Sequence, residues 1–519
     1  MFDFLPSWLL KPLLALVQKW DWLSAKVNAY AINAAVNAAP HRPFAFSTFS
    51  DYTCWTSLTD QTWSARHLPA AYPQNLPDPA EVVAIFQRPD GAQKLCPKST
   101  CLFPAFAQYL TDGFIRTVMN KSNEPFSMRR RNNSNHQIDL CSLYGRTEEQ
   151  VAALRLNSSE QGERGLLKSQ IINGEEYSPF LLDDSGTAIR DEFKCLDIPL
   201  GLNDITDPEK RKRLFATGGD RVNAAPQIAM VNTLFLREHN RLAGEIEKSN
   251  PTWDDNRVFE TARNIVIVVF IKIVVEEYIN HIAPIPFHLR ADPAVAWNAP
   301  WNKPNWITTE FSLLYRWHSL IPDTMVWGGK PYPVAETIQN NALLIDTGLA
   351  QSFIDTSSTR AGKLGALNTA QAILSVEFNA IVQDRVCNVA PYVAYRKYMS
   401  LTVPQKFEDI STDPAVVSEL KRVYRSVGDI DFYAGIFAED TVANSPLPEL
   451  ILRMVAVDAF SQALTNPLLS EHVFNEWTFT KMGWDTIQAT STLRDILMRN
   501  CTGVGSAHIS MTQSGWKYR

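Results

Sequence analysis

A tyrosine and a histidine three residues apart, Tyr315 and His318, carry the strongest chemical signal in this sequence. Residues at positions i and i+3 of a helix lie on the same face, so a helix here would place the phenol beside the imidazole. A tyrosine next to a histidine that binds a redox-active iron can be oxidised to a tyrosyl radical. Taken alone, the same spacing also suits an aromatic turn packed around a core histidine.

The composition excludes several classes of protein before any motif is considered. The chain has 519 residues, of which 45% are apolar and 20% are charged, so it can bury a large core. Its net charge of -6 argues against a nucleic-acid partner. The seven cysteines are scattered and match neither a zinc site nor a dense disulfide framework, a pattern that suits reduced thiols in the cytoplasm.

The N-terminal sequence predicts an amphipathic helical region, residues 1–45, in front of a larger domain, residues 46–519. Its first residues lack the basic cluster of a signal peptide. The apolar stretch that follows contains Pro6 and Pro12 and is too short for a membrane-spanning helix, which needs about 20 apolar residues. Two interpretations stay open: a helix lying in a membrane surface near the substrate entry, or a helix docked on the protein body. The predicted location is cytoplasmic, with peripheral membrane contact through this helix.

Apolar residues at helical spacing dominate the rest of the chain. Strand signals are few and short, and no glycine-rich nucleotide-binding loop is present. The predicted fold class is therefore mainly α, with one large body rather than several domains. The segments with the clearest helical pattern are residues 102–119, 226–248, 258–282, 450–464 and 484–498.

Four segments, taken in chain order, resemble parts of one known superfamily. The first two resemble segments of the animal-type haem peroxidases, and the last two resemble the cyclooxygenase branch of that superfamily. The resemblance covers nearly the whole chain and implies a haem peroxidase/cyclooxygenase-like helical fold. The four segments are residues 138–145, 233–241, 315–322 and 395–397.

The absence of one module indicates which branch of the superfamily the chain resembles more. No cysteine precedes Cys54, so the epidermal-growth-factor module of animal cyclooxygenases is absent from the sequence. The chain therefore looks more like the cyclooxygenase-like fatty-acid dioxygenases of microbes, and among them it resembles the linoleate dioxygenases.

The resemblance implies roles for His318 and Tyr315. His318 would bind the iron of haem b from the proximal side, and Tyr315 would be oxidised to a radical by the haem. The radical would remove a hydrogen atom from a linoleate-like unsaturated fatty acid, and O2 would add to the carbon radical to give a hydroperoxide. His239 lies in a conspicuous motif, but nothing pairs it with a nucleophile, so we predict a structural role for it.

The chain departs from the superfamily on the distal side of the haem. There the resemblance pairs a glutamine with a histidine four residues later; here Gln108 fits, but the second position is Asp112. The i,i+4 spacing puts both on one helix face. An exposed aspartate, with a pKa of about 3.9, is a poor base. We predict weak peroxidase activity, so that the enzyme needs a trace of preformed hydroperoxide to oxidise Tyr315. The alternatives are that burial lets Asp112 act as the acid–base group, or that it is a solvated helix residue.

A third distal residue follows from the resemblance of residues 219–223 to a peroxidase segment. It implies that Arg221 lies over the haem and steadies peroxide. The glutamate and methionine that link haem covalently in some peroxidases would fall at Ala224 and Ala225, so non-covalent haem b is expected. No calcium-binding loop is evident near residues 137–143, and no calcium is expected.

The resemblance also implies a substrate channel and leaves the exact reaction open. The arginine that grips the substrate carboxylate in animal cyclooxygenases is not retained, and Arg42 is a candidate substitute. A substrate held differently favours a monohydroperoxide; the alternatives are a true cyclooxygenase and a catalytically silent haem- or lipid-binding protein. An apolar tunnel suits a fatty-acid tail. The predicted channel residues are Leu110, Phe114, Tyr278, Ile279, Phe311, Leu314 and Ser461.

Overall fold

The computed structural model describes residues 7–39, 63–89, 91–117 and 131–518. The proposed carboxylate anchor Arg42 and the end of the predicted N-terminal region lie outside the described residues.

Within the described residues α-helices predominate, as the sequence predicts. The first half of the chain contributes α1 Ser7–Val17, α2 Asp21–Val36, α3 Pro79–Val83, α4 Leu102–Asp112, α5 Cys141–Tyr144, α6 Glu148–Leu154, α7 Pro208–Lys212, α8 Pro226–Ser249, α9 Asp255–Ile273 and α10 Asn280–Ile282. The second half contributes α11 Ala294–Trp297, α12 Thr309–Leu314, α13 Val334–Thr337, α14 Ala342–Thr347, α15 Leu349–Ser358, α16 Ser375–Val386, α17 Tyr392–Tyr398, α18 Pro414–Val423, α19 Phe432–Ala438, α20 Glu449–Leu464, α21 Glu476–Ala489 and α22 Leu493–Asn500.

The β-structure of the described residues is confined to three small antiparallel pairs. β1 pairs with β6, β2 with β3, and β4 with β5. The strands are β1 Leu95–Thr100, β2 Gln170–Ile172, β3 Glu175–Tyr177, β4 Thr324–Trp327, β5 Lys330–Pro333 and β6 Arg360–Gly362.

The long helices α8 and α9 pack against each other in the middle of the core. α8 begins at Pro226, whose missing N–H costs nothing in a first helical turn. α9 is capped by Asp254, which accepts a hydrogen bond from the Arg257 backbone N–H. Helices α4 and α22 flank α8, and α21 packs on α9. Buried apolar side chains from α1 to the C-terminal segment form one continuous cluster, which confirms the predicted single body.

Helix boundaries differ from the predicted ones where local geometry interrupts an apolar pattern. The helices predicted over 226–248 and 450–464 are confirmed as α8 and α20. The segment 258–282 is not one α-helix, because a π-helical turn, Val274–Ile279, separates α9 from α10. This turn keeps the apolar face buried, so periodicity alone does not reveal it.

Two other predicted helices are wrong in extent. The helix predicted over 102–119 ends at Asp112, at the end of α4. The segment 484–498 is split between α21 and α22. Thr492 starts α22 by accepting a hydrogen bond from the Asp495 N–H, while the Asp495 carboxylate accepts from the Thr492 N–H. This capping box fixes a new helix start where the apolar pattern suggests continuity.

The N-terminal helices combine docking with exposure. α2 packs on α20 and α11, and Asn28 hydrogen-bonds both backbone groups of Arg290. α1 buries Leu10, Leu14 and Val17 but leaves other large apolar side chains in solvent. In the described part of the chain no helix combines the length and the apolar character that crossing a membrane requires. The exposed apolar and aromatic side chains of these two helices and their connection are Leu13, Leu16, Trp20, Trp22 and Tyr30.

Candidate active site

Tyr315 and His318 flank a change of chain direction and do not share one helix, so that expectation is wrong. α12 is capped by Thr308, which accepts a hydrogen bond from the Phe311 N–H, and it ends at Leu314. Tyr315 is the C-cap residue that follows this helix, and His318 begins a separate 3-10 turn. Trp317 between them has non-helical backbone angles, φ -89° and ψ 45°. The two side chains nevertheless meet at one cavity.

This cavity brings together three of the predicted site residues. It comprises about 850 Å3 of space, part of it open to solvent. α4 contributes Gln108, and the chain after α12 contributes Tyr315 and His318. Most of the remaining wall is apolar, as a porphyrin ring requires. The apolar lining includes Pro104, Ala105, Ala224, Ala225, Ile228, Trp317, Ile321, Met325, Val334 and Ile338.

The His318 ring presents its two nitrogens to different surroundings. Nδ1 lies 3.1 Å from Oε1 of Glu377, a buried residue of α16. Despite this approach, Nδ1 forms no hydrogen bond of acceptable geometry, and no described residue hydrogen-bonds to Nε2 either. An imidazole that keeps a ring nitrogen free of hydrogen bonds can bind a metal through that nitrogen. The free nitrogen, the apolar cavity and the absence of reactive side chains at Ala224 and Ala225 fit a non-covalently held haem.

The distal residues form a buried chain that starts at the cavity wall. The Gln108 amide donates to Asp112 Oδ1 over 2.5 Å, which confirms that the two side chains share a helix face. The Arg221 guanidinium lies 3.6 Å from the same oxygen and also donates to the Ile115 carbonyl. Asp112 and Arg221 themselves do not line the cavity: Asp112 is linked to it through Gln108, and Arg221 approaches Asp112.

Asp112 is not the solvated helix residue that one interpretation of the sequence allowed. The residue is 0% exposed, and its second oxygen, Oδ2, has no partner among the described residues. Burial raises its pKa to about 6, while the nearby Arg221 opposes that rise. The group can therefore exchange a proton close to neutral pH.

Tyr315 lies in an aromatic shell. Its ring stacks on Trp317, with centroids 4.8 Å apart, and tilts against Phe311 at 4.6 Å. By distance and angle, neither its hydroxyl nor that of the buried Tyr278 forms a hydrogen bond in the described part of the chain, although the two hydroxyls are close enough to affect each other's pKa. Burial raises the pKa of Tyr315, and the neighbouring Tyr278 hydroxyl opposes that rise. The phenol therefore stays protonated at physiological pH and is a source of a hydrogen atom.

All seven predicted channel residues are buried, but none of them lines the cavity. Phe114 contacts Phe311, with ring centroids 5.6 Å apart, and thereby extends the shell away from Tyr315. Tyr278 and Ile279 lie in the π-helical turn. Ser461 donates its hydroxyl to the Asp458 carbonyl within α20. Their role as a substrate channel remains a prediction.

Two residues of the site have no signal in the sequence, and one conspicuous residue lies outside it. The two without a signal are Glu377 and Tyr433, whose hydroxyl donates to Glu377 Oε2; both come from helices far along the chain, in segments without a recognisable motif. His239 is fully buried, accepts a hydrogen bond from the Tyr144 hydroxyl at Nδ1 and donates from Nε2 to the Gly165 carbonyl. Burial lowers its pKa to about 4, so it is a neutral link between helices, in line with the structural role predicted for it.

Comparisons with known proteins show which family the chain matches and which site residues lie within the match. The model of the family described as animal haem peroxidase matches residues 113–511. The chain is 29% identical over 503 residues to prostaglandin G/H synthase 1 of Mus musculus, and the match covers 92% of this chain and 79% of that protein. Arg221, Tyr315 and His318 lie inside the family match, whereas Gln108 and Asp112 precede its first residue.

Two solved structures share the fold. Peroxidase A from Dictyostelium discoideum gives a TM-score of 0.69 at 20% sequence identity, covering 87% of this chain and 95% of that chain. A fatty acid alpha-dioxygenase of Oryza sativa gives 0.68 at 18% identity, covering 88% and 84%. The predicted mainly helical fold is thereby confirmed. The predicted superfamily is confirmed as well, while its linoleate-dioxygenase subtype stays a prediction.

Proposed function

This chain belongs to the animal haem peroxidase family, and we propose that it is a haem-dependent oxidoreductase that adds O2 to an unsaturated fatty acid. The observation that carries this proposal is the meeting of Tyr315 and His318 at one apolar cavity, with the phenol set in an aromatic shell. The product would be a fatty-acid hydroperoxide, and a linoleate-like acid is the proposed substrate.

The proposed cofactor is non-covalent haem b. When bound, haem would supply the iron that His318 would hold, and with a hydroperoxide as the oxidant it would supply the one-electron oxidation of Tyr315. Gln108 would face the ligand-binding side with its amide, steadied by Asp112. Ala224 and Ala225 offer neither a carboxylate nor a thioether, which supports a haem without covalent links.

Tyr315 would carry the reaction with the substrate. Its phenoxyl radical would take a hydrogen atom from the carbon between two double bonds, where the C–H bond is weakest. The phenol is thereby restored and a carbon radical remains, to which O2 adds. The resulting peroxyl radical would take the hydrogen atom back from Tyr315, giving the hydroperoxide and renewing the tyrosyl radical. The buried residues around Phe311 and Phe114 are the proposed binding region for the hydrocarbon chain.

A prostaglandin-type cyclooxygenase is the second candidate. The 29% identity to prostaglandin G/H synthase 1, over most of both chains, favours it. The two functions differ in their products, because a cyclooxygenase adds two O2 molecules to one folded chain. Mass spectrometry of the products from linoleate and from arachidonate separates them: monohydroperoxides support the dioxygenase, and endoperoxide-derived products support the cyclooxygenase.

Peripheral contact with a membrane would bring such a substrate to the enzyme. The exposed apolar and aromatic side chains of α1 and α2 support this part of the proposal. A cytoplasmic location is proposed together with it, on the cysteine pattern of the sequence.

The central test replaces Tyr315 with phenylalanine, which keeps the ring but cannot form a phenoxyl radical. We expect oxygen uptake with linoleate to fall to background in Tyr315→Phe, while haem content and fold are retained. Oxygen consumption is measured with an electrode after reconstitution with haem. Tyr72→Phe, at a tyrosine that is 64% exposed, is the matched control and should behave as wild type. Uptake in Tyr315→Phe equal to that of wild type would rule out the radical scheme.

A further inference from the structure

A cleft with a mainly cationic wall lies along the second half of α8. It comprises about 1980 Å3 of space, part of it open to solvent, which is enough for a small organic molecule. None of its lining residues belongs to the cavity at Tyr315 and His318. Its charged lining residues are Arg164, Arg237, Arg241, Lys248 and Arg499 on the positive side, and Glu175, Glu176 and Glu247 on the negative side.

One buried carboxylate holds two of these cations beside each other. Glu238 of α8 is 0% exposed. Its Oε2 accepts a hydrogen bond from Arg241 Nε over 2.9 Å, and its Oε1 accepts one from Arg499 Nη2 over 2.7 Å. Burial favours the neutral carboxyl group, but the two guanidinium groups outweigh this effect and lower the pKa of Glu238, so it stays ionised. Two positive charges therefore face one negative charge, and the cluster keeps one positive charge in excess.

The two guanidinium groups still have N–H groups to offer to a ligand. The side chains of Arg241 and Arg499 are 23% and 25% exposed, whereas Glu238 behind them is enclosed. Nη1 of each arginine has no hydrogen-bond partner among the residues that the structure describes. The carboxylates of the wall do not use these N–H groups, because each of them accepts from another donor. The donors to Glu175, Glu176 and Glu247 are Arg237, Asn240 and the Gly162 N–H, respectively.

Between Arg241 and Lys248, α8 carries a glycine that packing does not explain. Gly244 lies three residues after Arg241 and four before Lys248, so the three residues share one face of the helix. A Cβ at Gly244 would meet no atom within 4 Å, so the neighbouring residues leave room for a side chain. Glycine is less favourable than alanine inside a helix, and it suits a position where a ligand approaches the backbone closely. The bare backbone of Gly244 opens to the cleft between the two cations.

We propose that this cleft binds a phosphate group, with Arg241 and Arg499 as a clamp and Lys248 as a further contact. Guanidinium groups bind phosphate oxygens through paired N–H groups, and a lysine adds a point charge. A phosphate carries nearly two negative charges at pH 7, which match the excess charge of the clamp together with that of Lys248. A carboxylate would leave one of them uncompensated. The site is separate from the cavity at Tyr315, so the proposal does not depend on the proposed function.

The test is isothermal titration calorimetry of the full chain at low ionic strength, with inorganic phosphate, glycerol phosphate and acetate as probes. We expect saturable binding of one phosphate per chain and no comparable binding of acetate. Tighter binding of glycerol phosphate would assign the site to a phosphate ester, and tighter binding of inorganic phosphate would assign it to the free ion. No saturable heat with either phosphate, or equal affinity for acetate, would overturn the proposal.

Three variants locate the site without disturbing the buried Glu238. Gly244→Leu fills the space between the cations with a good helix former, and Lys248→Gln removes an exposed charge, so each should lower the phosphate affinity by about tenfold. Lys330→Gln removes an exposed charge on β5, outside the cleft, and should bind as wild type does. Circular dichroism checks that each variant is folded. Unchanged affinity in folded Gly244→Leu, or an equal loss in Lys330→Gln and Lys248→Gln, would overturn the proposed location.

Discussion

Burial decides what Asp112 can do beside a bound haem. Its pKa of about 6 means that the carboxyl group is mostly ionised at pH 7 and gains a proton in mildly acidic solution. A group with this pKa can transfer protons near neutrality. However, the side chain is enclosed, and Gln108 stands between it and the cavity. We therefore expect the distance of the Asp112 carboxylate from the cavity, more than its pKa, to limit peroxidase chemistry.

The substitution Asp112→His tests this explanation. A longer imidazole at this position would bring a proton acceptor nearer to the cavity, and general acid–base catalysis contributes about 10²- to 10⁴-fold. We expect peroxidase turnover with guaiacol and hydrogen peroxide at pH 7 to rise by on the order of 10²-fold. Turnover is measured at equal haem content.

Asp112→Asn is the control, because asparagine has nearly the same size but no titratable proton. It should leave the low wild-type turnover unchanged. An unchanged turnover rate in Asp112→His would contradict the idea that the distance of the side chain from the cavity limits peroxidase turnover. A fall of about 10²-fold in Asp112→Asn would instead support the alternative in which Asp112 is the acid–base group.

Contacts between side chains of one helix could be predicted from the sequence. Contacts between side chains of distant segments could not. The pairing of Gln108 with Asp112 follows from a spacing of four residues. The approach of Arg221 to Asp112, and of Glu377 to His318, depends on how distant segments pack. The i,i+3 argument for Tyr315 and His318 failed because α12 ends between them, although the cavity still joins the two side chains.

At the scale of elements, the N-terminal helices show both properties that the sequence left open. Leu10 and Leu14 dock α1 on the body, and Ile32 and Val36 dock α2. The turns that face solvent carry Trp20, which is 50% exposed, among other apolar side chains. Isolated exposed apolar residues are normal, but a group of five on adjoining helices is typical of a contact surface.

We expect this surface to bind lipid vesicles. The triple variant Leu13→Ser, Leu16→Ser, Trp20→Ser removes apolar area from the exposed side only. Since burying one large side chain is worth about 1.5–3 kcal/mol, the partition coefficient should fall at least about tenfold. Co-sedimentation with phosphatidylcholine vesicles containing anionic lipid measures it.

Trp477→Ser provides the control, because Trp477 is 97% exposed on α21, outside these helices. It should bind vesicles as wild type does. Equal binding of the triple variant and wild type, with both fully folded, would show that α1 and α2 are only docked helices.

The positions of the helices could largely be predicted from the spacing of apolar residues. Their ends could be predicted only where the sequence contains a capping residue or a proline. Pro226 marks the start of α8. Thr492 and Asp495 carry a readable capping signal, yet the apolar pattern across it favoured one long helix. The π-helical turn Val274–Ile279 has no such signal, because its extra residue is absorbed within a long, mostly buried helical stretch.

For the whole molecule, one core joins segments that are far apart in the chain, and buried ionisable groups stand at several of these junctions. Glu277, in the π-helical turn, accepts a hydrogen bond of 2.7 Å from the Leu493 N–H at the start of α22. Burial raises its pKa from 4.5 to about 7, against the effect of this hydrogen bond. The mainly α class could be predicted because helical spacing recurs among many apolar residues. A junction such as that of Glu277 with Leu493 could not be predicted, because it depends on how distant segments pack.

The raised pKa of Glu277 makes the stability of the molecule depend on pH. Because the folded-state value exceeds the unfolded one, the stabilising contribution is fully present below about pH 4.5 and is lost as the pH rises through about 7. Glu277→Gln stays neutral and still accepts from Leu493. We therefore expect the free energy of unfolding of Glu277→Gln, relative to wild type, to increase between pH 5 and pH 8 by up to about 3 kcal/mol. Urea unfolding at both values measures it.

Glu471→Gln removes one charge at an exposed position and controls for the change in net charge. Its stability relative to wild type should differ little between the two pH values. If Glu277→Gln behaved in the same way, the Glu277 carboxylate would have to ionise in the folded protein without cost. That would require water to reach the junction of the π-helical turn with α22, and hence a looser contact between the two elements than the hydrogen bond to Leu493 implies.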